Sequence, residues 1–294
     1  MKAEYRRGGM MNVTEVAELL DNPDCQIQSR LISAADGVEL QVYSFKPNRP
    51  STGRPVVFIP GWTSVMDGWA PLLSAWAEKR EIHYIETREK RSAKIVGKVR
   101  VQDFSMIRHA EDLNAVVDEL KLDSNVLWFG SSLGATVILH GMMEGLLEGE
   151  AAFLIAPNTK FRFATWMLPI IAAPWWCYPP LIRILGLPYL KWRLKEPKQY
   201  IRYRRTLTQA HLLRLKRSVK ANRRYDLPSH LNRISSPVAI CVAASDTLHT
   251  GDDSHGIADS LSNGCIVEVP SNQYAHEADV IADIHAWELN TSGQ

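Results

Sequence analysis

Short apolar runs alternate along this chain with stretches of helical periodicity. That alternation limits the fold more than any other feature. Six runs read as buried strands: "RPVVFIPGW", "EIHYIET", "NVLWFG", "AAFLIAP", "PVAICVAA" and "CIVEVP". The first is broken sharply by Pro60-Gly61. Between them lie helical patterns over Trp69 to Lys79 and from Asp103, read as an N-cap, through Met106, Ala110, Leu113, Val117 and Leu120. "LGATVILHGMMEGLL" and a closing stretch near "HEADVIADIHAWEL" complete the set. Strands alternating with helices predict an α/β fold: a mostly parallel sheet with helices on both faces. Near the start, "SRLISAADGVELQVYSF" reads as a hairpin turning at Asp36-Gly37.

The alternation stops between about Asn158 and Leu231, where no clear strand is written. Charge separates this segment from the rest. Lys191 to Arg224 holds 13 Lys and Arg against one acid, Glu196, while the remainder of the chain carries 21 bases and 31 acids. The expected organisation is an N-terminal extension with a short helix (1–25), a core made of 26–157 and 232–294, and an inserted helical cap at 158–231. Four widely spaced cysteines with no CxxC pair read as reduced. The N-terminal residues hold no apolar run of the secretory kind, and the expected location is the cytoplasm. No metal-ligand spacing appears, so no metal or other cofactor is expected.

The run Gly130-Ser131-Ser132-Leu133-Gly134 reads as G-x-S-x-G with Ser132 at its centre. A strand precedes it and a helix follows, the context that a nucleophile elbow needs. The bend is tight enough to require small residues on each side. Ser131, flanked by Phe129 and Leu133, does not fit that frame. A serine hydroxyl needs a base, and the base needs a carboxylate to orient it. Asp246 follows one predicted strand and His276 follows the next, which gives the chain order Ser132, Asp246, His276. Asp252 and Asp253 compete with Asp246, and His249, His255 and His285 compete with His276.

With these residues in place, the chain resembles cap-bearing α/β-hydrolases of the serine esterase and monoacylglycerol-lipase kind over roughly Gln26 to Leu289. The resemblance implies a core sheet of about eight strands, with Ser132 attacking, His276 as the base and Asp246 steadying it. It also implies an oxyanion hole made by the N–H groups of Leu133 and Trp62. Two departures stand out. Pro60 replaces the histidine of the usual His-Gly pair ahead of that second donor. In "IETREKRSA" (85–93), Glu86, Glu89 and Arg91 replace the acid and two glycines of an Asp-x-Arg-Gly-x-Gly-x-Ser loop, which reads as a salt-bridged structural loop.

Phe163 to Ile182 is uncharged for 20 residues but contains Pro169, Pro174, Pro179 and Pro180. Short broken helices roofing a pocket fit this better than a membrane span. The roof would line an acyl pocket with Trp166, Met167, Leu168, Ile170 and Trp175. The basic run behind it fits either a solvated helix face or peripheral contact with an anionic membrane. No nucleic-acid module is recognisable. The expected activity is hydrolysis of small, lipid-like carboxylic esters through an acyl-enzyme. Thioesterase, carbon–carbon hydrolase, acyltransferase or purely ligand-binding roles remain open on the same fold.

Overall fold

The computed structural model describes residues 10–34, 36–163, 165–194, 196–244 and 251–291. Eight strands form one open sheet in the order β1-β2-β4-β3-β5-β6-β7-β8. They are β1 (Cys25–Ser33), β2 (Glu39–Pro47), β3 (Val56–Ile59), β4 (Ile82–Ile85), β5 (Leu127–Ser131), β6 (Ala151–Ile155), β7 (Val238–Ala243) and β8 (Gly264–Val269). β1 and β2 form the expected hairpin, and β2 pairs antiparallel with β4. All later pairings are parallel, so β2 alone runs against the others.

The two-residue side-chain period decides what each face of the sheet buries. Val57, Ile59, Trp128, Leu154 and Ile240 enter one apolar layer; Val56, Phe58, Phe129, Phe153 and Cys241 enter the other. The first layer is covered by α3 (Met106–Leu120), α4 (Leu133–Met143) and α10 (Gly251–Ser260), the second by α1 (Val13–Leu19), α2 (Ala70–Ala77) and α11 (Val280–Thr291). Because both faces are buried, the central strands read as unbroken apolar runs.

The structure corrects three details of the sequence reading. Asp103 does not cap α3. It lies in a 3-10 turn and accepts the Arg100 N–H (2.6 Å), while Ser105 occupies the N-cap position. The helix after Trp69 begins at Ala70 and ends at Ala77, preceded by a 3-10 turn over Met66–Trp69. Between β7 and β8 lies α10, which no helical pattern in the sequence predicts. Its apolar signal is thin: among the described residues, Ile257, Ala258 and the following Leu261 reach the core.

Between β6 and β7 the chain forms α5 (Leu168–Ala172), α6 (Tyr178–Leu181), α7 (Leu187–Arg193), α8 (Pro197–Gln209) and α9 (Leu212–Asn222). Prolines at the first turns of α5 to α8 punctuate these helices, where a missing N–H costs little. Among the described residues, no helix is long and apolar enough to cross a membrane.

Candidate active site

The bend between β5 and α4 is tightly constrained. Ser132 has φ 50° and ψ −111°, a left-handed φ that side-chain-bearing residues rarely adopt. Its neighbours have no room for a side chain. A Cβ on Gly134 would lie 2.1 Å from the Ile59 carbonyl oxygen, and one on Gly130 would lie 2.8 Å from the Ala135 nitrogen. The bend is fastened by the Ser132 N–H donating to Ile155 O (2.8 Å) and by the Thr136 N–H and hydroxyl donating to Ser132 O (2.9 and 3.0 Å). Ser131 ends β5 and is buried; Ser132 is partly open.

Two loops flank Ser132. Gly61 sits so close that a Cβ on it would lie 3.5 Å from the Ser132 Cβ. The turn that follows is closed by the Ser64 N–H on Gly61 O (2.9 Å), with Thr63 at φ 49°. Trp62 sits at the first corner of that turn, its ring edge-on to Phe161 (5.4 Å) and Phe163 (6.3 Å). The Leu133 N–H opens α4, where first-turn donors have no acceptor inside the helix. On the other side, Asn158 follows β6. Its N–H donates to the Thr136 hydroxyl (2.9 Å), and its Nδ2 lies 3.4 Å from Ser132 Oγ. The sequence reading did not single out Asn158. Its signal was a polar residue just past a strand end at the carboxyl edge of a parallel sheet, where such folds carry their sites.

His276 lies in a 3-10 turn between β8 and α11. Its Nδ1 bonds the Asn272 carbonyl (2.8 Å). A carbonyl only accepts, so Nδ1 carries the hydrogen and Nε2 is left as the basic nitrogen. The ring stacks on Trp69 at 4.0 Å between centroids and 21° between planes. Trp69 is itself buried edge-on against Phe58 (4.9 Å) and Phe129 (6.2 Å). Residues near α8 grip the same loop: Glu196 accepts the N–H groups of Asn272 (3.3 Å) and Gln273 (2.9 Å), and Arg202 donates to both side-chain carbonyls.

Asp246 and His249 lie outside the described residues, as does the Asp252 side chain. Asp253 pairs with Arg162 (3.2 Å). In the helical segment, the side chains of Trp166 and Leu168 also lie outside the described ones, while Met167 and Ile170 are half-buried. Trp175 helps line a cleft of about 430 Å³ with Trp176, Leu213, Arg217 and Lys220, whose lining includes neither Ser132 nor His276. Among the described residues, no three His, Cys, Asp or Glu side chains gather as a metal site.

The 85–93 loop is salt-bridged. Arg88 is fully buried and donates to both oxygens of Asp112 and both of Asp36 (3.0 and 3.2 Å to the latter). These two acids hold the guanidinium firmly in its charged form. His109 is buried with neither ring nitrogen hydrogen-bonded among the described residues, and desolvation pulls its pKa down to about 4.

No family model and no curated protein sequence matches the chain. Solved structures do. A hydrolase from Pseudomonas aeruginosa PA01 superposes with a TM-score of 0.68 at 20% identity, over 89% of this chain and 96% of its own. A thermophilic esterase from Thermogutta terrifontis gives 0.69 at 16% identity, over 90% and 99%. The enol-lactonase of Burkholderia xenovorans LB400 gives 0.67 at 15%, over 90% and 98%. The chain has the α/β-hydrolase fold. Within that α/β-hydrolase sheet, Ser132, Asn158 and His276 all follow the carboxyl ends of parallel strands, and Gly61 lies against the first of them.

Proposed function

We propose that the protein is a serine hydrolase acting on carboxylic esters with an apolar acyl portion. The observation that carries this reading is the backbone at Ser132: a left-handed residue between two glycines that cannot bear a Cβ, with Gly61 packed against it. Strain of this kind clusters at reactive sites, and here it sits on a hydroxyl-bearing residue at the carboxyl edge of the sheet. Ser132 Oγ attacks the ester carbonyl while His276 Nε2 takes its proton. The tetrahedral oxyanion is held by the N–H groups of Leu133 and Trp62, and His276 returns the proton to the departing alcohol. Water then cleaves the acyl-enzyme by the same route in reverse. Asp246 is the proposed acid that stabilises the imidazolium. Trp62, Phe161 and Phe163 supply an aromatic wall for the acyl group. The similar structures include a hydrolase, an esterase and an enol-lactonase, all consistent with acyl transfer to water.

A fluorophosphonate probe tests the proposal. Labelling is expected in the wild type and in Ser131→Ala and lost in Ser132→Ala. Equal labelling of the two variants would overturn the choice of serine.

The helical segment serves this reading as a cap that also rests on anionic lipid. Trp176, Ile184 and Trp192 are 65%, 68% and 79% exposed, and the run from Lys191 to Arg224 carries the excess of bases. Binding to vesicles containing acidic phospholipid should weaken as salt rises. Binding indifferent to both lipid charge and salt removes the membrane role and leaves the chemistry untouched.

A further inference from the structure

Glu89 stands where the related loop pattern carries glycine, and it is fully buried. One oxygen, Oε1, accepts the Thr63 N–H (3.2 Å) and the Thr87 hydroxyl (2.8 Å). The other, Oε2, is buried with no hydrogen-bond partner among the described residues. A buried acid with half its acceptor capacity idle is costly to keep. What it holds is therefore informative. Thr63 is the residue after Trp62 in the turn beside Ser132, and it sits at φ 49°, a poor conformation for a β-branched side chain. In such a turn only the last N–H is bonded internally, here Ser64 to Gly61. The Thr63 N–H would otherwise be an orphan in a buried place.

We infer that Glu89 is a positioning residue: by tethering the Thr63 N–H it fixes the turn that aims the Trp62 N–H at the oxyanion. The inference rests on reading Ser132 as the nucleophile. The Thr63 N–H belongs to the peptide plane that follows Trp62. Pinning that plane from one side, with the Ser64 bond closing the other, leaves the Trp62 amide little freedom to turn. Glu89 itself hangs between two fixed points. Arg88 before it is anchored on Asp36 and Asp112. Lys90 O and Ala93 O behind it are gripped by Arg214 from α9 (2.5 and 2.9 Å). The buried carboxyl thus supplies the support that Pro60, lacking both a side-chain hydrogen-bonding group and an N–H, cannot.

The test compares Glu89→Met with Glu89→Gln. Methionine keeps the volume and removes the acceptor. Glutamine keeps an oxygen that can accept both bonds. With p-nitrophenyl butyrate, Glu89→Met is expected to lose about 10- to 100-fold in kcat with KM nearly unchanged, since an oxyanion donor is mis-aimed and not removed. Glu89→Gln should stay near wild type. Hydrogen exchange should find the Thr63 amide protected in wild type and Glu89→Gln, and fast in Glu89→Met. A wild-type kcat in Glu89→Met, or a Glu89→Gln variant as impaired as Glu89→Met, would overturn the inference. So would a wild-type Thr63 amide exchanging like an unbonded loop amide, a result that needs no variant to fold. A protein that hydrolyses no ester, with Thr63 exchange still set by residue 89, would overturn the hydrolase reading and leave the tether standing. Normal hydrolysis with exchange indifferent to residue 89 would overturn the tether alone.

Discussion

The bend at Ser132 and the helical segment after β6 solve opposite problems. The bend is held by close backbone approaches that admit no substitution: Gly134 against the Ile59 carbonyl, Gly130 against the first turn of α4. The helical segment is held by long side chains reaching into its surroundings. Arg214 bonds the carbonyls of Lys90 and Ala93, Arg205 pairs with Asp67, Glu196 caps two amides of the His276 loop, and Arg91 reaches back from the 85–93 loop to Gln209 O. Dense packing fixes one arrangement to a fraction of an ångström, whereas charged side chains on flexible stems tolerate change around them. The first construction suits the reacting centre proposed for Ser132, and the second suits the proposed cap.

That contrast can be broken most directly at Gly134. Gly134→Ala should cost about 4 kcal/mol or more, or abolish folding, because backbone must move to admit the methyl. Urea denaturation measures it, and a loss under 1 kcal/mol would mean that the bend yields as readily as a loop. Next comes Arg88→Met, which strands Asp112 and Asp36 around an empty place. A loss of about 3–5 kcal/mol is expected for a buried pair cut on one side.

A smaller effect comes from His109. Its folded pKa of about 4 lies below its unfolded value of about 6.5, so between these pH values the unfolded chain binds the extra proton. The stability linked to this group is complete above about pH 6.5 and is lost as pH falls toward 4. Relative to a His109→Gln variant, wild type should lose about 2 kcal/mol between pH 7.5 and pH 5, read from paired denaturation curves. Smallest of all, Trp176→Ser and Trp192→Ser should shift stability by no more than about 0.5 kcal/mol while weakening attachment to acidic vesicles. A large loss of stability would show that these rings are packed as the core is.

What could be read from the sequence follows the same division. The strands, the hairpin and the elbow announce themselves locally, through apolar period and the spacing of small residues. Arg88 was readable as part of a salt-bridged loop, but its partners lie 24 and 52 positions away and no local pattern names them. Glu89 gave one signal, an acid in place of a glycine, and its meaning depended on Thr63 arriving from another loop. Asn158 was hidden because a single amide after a strand has no pattern at all. α10 escaped because a helix with so few buried positions scarcely differs from a polar loop in sequence.

Phe153 lies parallel to Phe129 (6.1 Å), Phe129 meets Trp69, and Trp69 underlies the imidazole of His276. A column of rings therefore runs from the middle of the sheet to the surface. The tilt of the His276 ring is set by Trp69, which in turn packs on Phe129. If His276 is the base proposed above, trimming a phenyl ring deep in that column should slow ester hydrolysis while leaving Ser132 and His276 themselves unchanged.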